Sequence, residues 1–295
     1  FRSRRSARSR RGLSSLHPAR KDLMTLQVGA LIIGDEILSG KRADKHLPKL
    51  IELLGARGLS LAHAEYVGDD RARITDALRR AFASQAVVFS FGGIGATPDD
   101  HTRQCAAEAL GVPLALHPEA VALIRERMRD VATEEGKPYE PQRADNLHRL
   151  QMGNFPEGAR IIPNVYNKIP GFSCSGTAGT VHFVPGFPVM AWPMVEWVLE
   201  QRYAKHFHST VQREHSVIVY GGMEATLTPL MVAIERDHPG VKVFSLPSVD
   251  DSKHGRHIEL GVKGEAGAVT KAWPTLLEGL HSFGASLGPE LVRNI

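Results

Sequence analysis

Cysteine is nearly missing from this sequence: Cys105 and Cys174 are the only two in 295 residues. Two thiols so far apart make no disulfide framework, so a reducing cytoplasm is the expected compartment. Long apolar runs are missing as well. No stretch approaches the roughly 20 apolar residues that cross a bilayer, and no signal-peptide core follows the basic start. The histidines are scattered without a His-x-x-x-His pair, which argues against a helix-borne zinc site.

A global excess of positive charge is only apparent. The pI is about 9.1. Residues 1–23 carry seven Arg and one Lys against the single acid Asp22, a surplus of seven charges. The whole chain has a net charge of +4, so the remainder is at −3. Nucleic acid is therefore not an expected partner. Residues 1–24 are expected to be a disordered basic extension, Arg/Ser-rich with little to bury, and Met24 reads as a natural start. Over the whole sequence, apolar residues at 42% and charged residues at 23% predict a soluble globular protein.

The pattern that follows alternates short apolar runs with helical stripes. Leu26 to Ile33 reads as a buried strand ending in Gly34-Asp35-Glu36. Asp44 can cap a helix bearing Leu47, Leu50, Ile51 and Leu54. Leu59 to Val67 predicts a second strand, closed by Gly68-Asp69-Asp70, with Asp70 a natural cap for a helix over 71–84. Ala86 to Phe89 predicts a third strand, and it runs into Gly92-Gly93-Ile94-Gly95-Ala96-Thr97-Pro98-Asp99-Asp100. Glycines between a strand end and a helix start leave N–H groups free to hold an anion. Thr97 or Asp99 is the expected N-cap of the helix that follows, with Pro98 in its first turn. Asp100 reads equally as a cap or as a metal ligand. Acids beside a phosphate cradle make most sense with a hard cation between them.

Further on, Ile161-Ile162-Pro163-Asn164 and Thr180 to Val184 predict strands around a loop containing Pro170-Gly171-Phe172. Pro185-Gly186-Phe187-Pro188 then precedes an apolar helix. The region 134–151 is polar and carries no clear pattern. After Tyr203 a β-α-β-β-α order predicts a small α+β sandwich. The expected division is 1–24, 25–203 and 204–295. Cys105 reads as core and Cys174 lacks a histidine partner, so neither is a nucleophile candidate.

Gly34-Asp35-Glu36-Ile37-Leu38-Ser39-Gly40, Val67-Gly68-Asp69-Asp70 and the Gly92 to Asp100 stretch occur in one order. Together they resemble the MoaB/Mog molybdopterin-binding family, in the version that begins CinA (competence/damage-inducible) proteins. Asn164, Pro170-Gly171-Phe172 and Pro185-Gly186-Phe187-Pro188 match later motifs of that group. The unit after Tyr203 is similar to the CinA linker domain, and the amidase domain of full-length CinA proteins has no counterpart in this sequence.

The resemblance implies a three-layer α/β fold with a mostly parallel sheet, followed by a smaller α+β domain. It implies a homo-oligomer whose ligand is a small-molecule nucleotide or pterin, molybdopterin among them. The activity it implies is divalent-metal-dependent (Mg²⁺ or similar) pyrophosphatase action on ADP-ribose-like dinucleotides, with non-catalytic binding as the alternative. The implied catalytic set is Asp35, Asp99 and Lys168. The ligand set is Gly34, Ser39, Gly40, Gly92, Gly93, Gly95, Thr97, Gly171, Pro185 and Gly186. The metal set is Asp35, Glu36, Asp69, Asp99 and Asp100. Asn167-Lys168-Ile169 departs from the small residues usual before Pro-Gly, and Lys168 or Lys41 is expected to supply charge to a phosphate.

Overall fold

The computed structural model describes residues 26–209, 212–248 and 256–294. The expected disordered extension over 1–24 lies outside them. Two sheets organise the chain.

The first sheet grows from β1 (Val28–Ile33), whose six residues are all buried. β2 (Leu61–Val67) and β3 (Val87–Phe91) pair with β1 in parallel on either side. Between them lie α1 (Asp35–Leu38), α2 (His46–Gly55) and α3 (Arg71–Ala83). Asp44 caps α2 as expected: its carboxylate accepts from the N–H groups of His46 at 2.8 Å and Leu47 at 3.1 Å. Within α2, Ile51 is exposed and Leu53 is buried instead. Asp70 caps α3 by accepting from the N–H of Arg73 at 2.9 Å.

After β3 come α4 (Thr102–Leu110), β4 (Leu114–Leu116) and α5 (Pro118–Glu134). The unpatterned polar region contains α6 (Ala144–Leu150), and β5 (Asn154–Pro156) then pairs with β4. Next are β6 (Arg160–Ile162), β7 (Gly171–Ser175), β8 (Thr180–Val184) and α7 (Pro188–Val198). The strand order is β2-β1-β3-β8-β7-β6. β8 is parallel to β3, whereas β7 runs antiparallel to both β8 and β6. The sheet is thus mostly parallel with one reversed strand, as the hairpin between β7 and β8 requires.

Helices cover both faces, giving three layers. On one face Ile74, Leu78, Cys105 and Ala106 pack with Phe172 and Phe183. On the other, Leu50, Leu54, Met194 and Val198 pack with Phe89 and Phe91. A polar chain of three side chains crosses this core. His182 is wholly buried, its Nδ1 2.7 Å from the Ser173 hydroxyl and its Nε2 2.8 Å from the Tyr203 hydroxyl. Burial holds its pKa down at about 3 and pushes the Tyr203 hydroxyl up to about 12.

The second sheet contains β9 (Gln212–Tyr220), β10 (Val241–Ser248), β11 (His257–Glu265) and β12 (Ser286–Asn294). Its order is β10-β11-β9-β12, antiparallel throughout. α8 (Glu224–Asp237) and α9 (Ala266–Ser282) supply Leu227, Ile234, Val269 and Leu276 to one shared core. This is a split β-α-β arrangement closed by β12, a strand the sequence pattern did not predict.

Candidate functional site

β1, β2, β3 and β8 all end on the same edge of the first sheet, and their following turns meet there. Ligands of open α/β sheets collect at such carboxyl ends. A cavity of about 340 Å³ is bounded by Gly34 and Glu36 after β1, Asp69 after β2, Gly92 to Asp100 after β3, and Pro185 to Phe187 after β8.

The floor is the glycine loop. Gly92 has φ +98° and Gly93 φ +69°, conformations that side chains resist. A Cβ on Gly92 would lie 2.4 Å from the Ile33 carbonyl oxygen, and one on Gly93 2.1 Å from the Thr102 hydroxyl oxygen. The loop is pinned at both ends. Gly92 donates to the Val184 carbonyl at 3.1 Å, and the Thr102 N–H donates to the Gly93 carbonyl at 3.0 Å. The buried Thr102 hydroxyl donates to the Gly92 carbonyl at 3.2 Å. Between these pins, the N–H groups of Gly93, Ile94, Gly95 and Ala96 have no hydrogen-bond partner among the described residues. A run of unpaired N–H groups with little side-chain cover is an anion-binding concavity.

Two basic side chains that sequence reasoning missed stand at the site, one beneath the loop and one across the cavity. Arg103, only 5% exposed, donates from Nη1 to the Ile94 carbonyl, while its Nε has no partner. Burial lowers its pKa, but a guanidinium stays charged. The loop therefore rests on a buried cation. Arg42 lines the cavity opposite, 4.0 Å from the Glu36 carboxylate. The signal for Arg42 was its place two residues past Gly40, next to the Lys41 expected in that role. The helical position of Arg103, on the face it shares with Ala106 and Ala107, was the signal for the other.

The acids divide by task. Asp35 and Asp69 clasp each other's backbone: the Asp35 N–H donates to Asp69 at 2.9 Å and the Asp69 N–H donates to Asp35 at 3.2 Å. Asp100 braces the loop by accepting from the Thr97 N–H at 2.8 Å and its hydroxyl at 2.6 Å. α4 begins only at Thr102, so neither Thr97 nor Asp99 is its N-cap. Glu36, Asp69, Asp99 and Asp100 line the cavity. Burial raises the Asp69 pKa, and the charges of Asp35, Glu36 and Asp99 push it the same way, although the Asp35 N–H opposes them. Among the described residues, no three His, Cys, Asp or Glu converge so as to hold a metal ion. The expected five-carboxylate metal set is accordingly not a preformed protein cage.

Five expected site residues are not among those that line this cavity: Asp35, which faces the Asp69 backbone instead, Ser39, Gly40, Lys168 and Gly171. Lys168 is held at 2.6 Å by both Glu126 and Asp130 on α5, so its charge is already matched there. Gly171 is a buried strand residue, not part of a loop; a Cβ there would lie 2.3 Å from the Phe183 carbonyl oxygen, which explains the glycine by packing. Ser39 and Gly40 end the short α1, with Gly40 at φ +73° in the turn. Gly34, Gly92, Gly93, Gly95, Thr97, Pro185 and Gly186 all line the cavity.

The family described as a probable molybdopterin binding domain matches residues 29–206. A CinA-like protein of Anaeromyxobacter dehalogenans is 35% identical over 175 residues, 59% of this chain and 40% of that protein. The chain thus matches well under half the length of that relative. A protein of Pyrobaculum calidifontis is 29% identical over 217 residues, 74% of this chain and 79% of its own length. The crystal structure of the CinA protein of Thermoplasma acidophilum, described as of unknown function, superposes with a TM-score of 0.50. It is 25% identical and covers 60% of this chain and 97% of its own.

Proposed function

The chain belongs to the family of probable molybdopterin binding domains, and from that premise we propose that it binds a phosphorylated pterin or nucleotide, with the phosphate on the glycine loop. The row of unpaired N–H groups from Gly93 to Ala96 carries this reading. Such groups match non-bridging phosphate oxygens, and the Arg103 charge beneath favours an anion. Glu36, Asp69 and Asp99 oppose one, so a phosphate here is expected to bind best with a cation of its own. Titrating the purified chain with ADP and with a pterin monophosphate, with and without Mg²⁺, tests the reading by calorimetry. Saturable binding of either supports it, and no binding of both contradicts it.

A second reading is favoured by one observation: Glu36, Asp69, Asp99 and Asp100 line the same cavity as the glycine loop. Mg²⁺ is commonly held by one or two carboxylates together with substrate phosphates, so no full protein cage is needed. Divalent-metal-dependent cleavage of ADP-ribose-like pyrophosphates is that second proposal. Release of AMP from ADP-ribose only in the presence of metal supports it; binding without release leaves a non-catalytic binder. A homo-oligomer belongs to the same proposal. Val165 and Tyr166, 83% and 62% exposed, stand on a loop that Asn164 and Asn167 brace, and sedimentation of the purified chain tests it.

A further inference from the structure

The unpaired N–H groups of the glycine loop are aimed by whatever holds the carbonyls between them. In a trans peptide the C=O of one residue points opposite to the N–H of the next. A carbonyl drawn back into the protein therefore turns the following N–H outward. α4 draws back three. Thr102 takes the Gly92 carbonyl with its hydroxyl and the Gly93 carbonyl with its N–H, and Arg103 takes the Ile94 carbonyl. These fix the N–H groups of Gly93, Ile94 and Gly95. The Gly95 carbonyl has no such partner among the described residues. The Ala96 N–H, the last of the row, therefore depends on the peptide after it. That peptide, between Ala96 and Thr97, is held from both sides. Its N–H donates to Asp100 at 2.8 Å, and its carbonyl lies 2.8 Å from Nε2 of His148. A carbonyl only accepts, so the His148 proton sits on Nε2.

His148 belongs to α6, in the polar region whose sequence carried no clear pattern. α6 packs on α5 through a small core of its own, with Leu150 against Ile124 and Met128. The same unit grips the loop before β7. Ile169 packs on that core, and Lys168, at an uncommon φ of +62°, is held by Glu126 and Asp130 of α5. We propose that His148 is a positioning residue of the phosphate loop, tying the Ala96 amide to the docking of the α5–α6 unit. With α6 docked, the loop presents Gly93, Ile94, Gly95 and Ala96 as aimed donors. With α6 withdrawn, Ala96 drops out of the set. By linkage, a phosphate that uses all of them favours the docked unit as much as the docked unit favours the phosphate. The inference rests on the phosphate reading above. His148 does not line the cavity, so it acts through Ala96 and not on the ligand.

The test compares the wild type with His148→Ala and with His148→Gln, whose side-chain amide puts a donor near the place of the imidazole Nε2. Each is followed by amide hydrogen exchange, by AMP titration and by thermal melting. In His148→Ala the Thr97 amide is expected to exchange about three- to tenfold faster. The Gly92 and Thr102 amides, which donate to Val184 and Gly93, should exchange as in the wild type. AMP affinity is expected to fall about three- to tenfold. The AMP-induced shift at Ala96 should shrink while those at Gly93 and Ile94 persist. His148→Gln should restore exchange, affinity and shifts. All three proteins should melt alike, because His148 is exposed. Wild-type Thr97 exchange and AMP affinity in His148→Ala overturn the proposal. So does a His148→Gln variant no better than His148→Ala. Faster exchange at Gly92, Thr97 and Thr102 alike, with a lower melting temperature, assigns His148 a merely structural role and overturns it too. If the wild type binds no AMP, the phosphate reading falls, and Thr97 exchange still decides whether His148 holds the loop.

Discussion

The Asp35 and Asp69 turns hold each other through a reciprocal clasp, each carboxylate accepting the other's backbone N–H at 2.9 and 3.2 Å. The clasp ties the ends of β1 and β2 and fixes one wall of the cleft. Asp35→Ala removes one acceptor and frees the Asp69 N–H. A loss of about 1 kcal/mol in unfolding free energy is expected, with weaker AMP binding by calorimetry. Asp35→Asn keeps an acceptor oxygen and should retain most of both.

Glycines in the cleft should separate by cause. Gly93→Ala meets the Thr102 hydroxyl oxygen at 2.1 Å and an unfavourable φ of +69°. It is expected to cost roughly 1–3 kcal/mol and to lower the melting temperature. Gly186→Ala meets only the Gly92 α-carbon, at 3.5 Å. Its methyl has room and reaches the cleft instead. An unchanged melting temperature with AMP affinity reduced about tenfold is the expected result.

Arg103 provides a test of the charge beneath the loop. Arg103→Met keeps much of the buried stem and deletes the charge. Phosphate affinity should fall, with Arg103→Lys intermediate because Lys lacks the planar fork. A purely structural role would lower the melting temperature of both variants and leave the affinity of the folded protein unchanged.

Buried His182 makes stability depend on pH. Its pKa is about 3 when folded, against 6.5 as the ordinary value. The unfolded chain therefore binds the extra proton first. The contribution is complete above about pH 6.5 and is lost as pH falls toward 3. Urea unfolding between pH 7 and 4 should show this slope. His182→Gln, which hydrogen-bonds without titrating, should flatten it by up to one proton.

Much of the fold was legible because its signals are local. Alternating apolar runs and helical stripes located β1, β2, β3 and β8 with α2 and α3, and Asp44 and Asp70 cap where their side chains suggest. The reversed β7 was not legible: Pro170-Gly171-Phe172 reads as a turn, yet Gly171 is required by contact with Phe183 and Met194, residues distant in sequence. The glycine loop and its acids were visible as types at strand ends. Their division of labour was not, because the Asp35–Asp69 clasp spans two strands and the Lys168 ion pairs involve a helix far from it in sequence. Arg103 was hidden for the same reason: only packing shows that it is buried against the cleft.

The proposed function stands on the Gly93 to Ala96 amides receiving a phosphate. Titrating ¹⁵N-labelled protein with AMP while following amide chemical shifts tests it most directly. The largest shifts are expected at Gly93, Ile94, Gly95 and Ala96, with a second set around Gly186, which lines the same cavity. Saturating binding that leaves those amides unmoved and shifts others, such as those of β9 to β12, would contradict it.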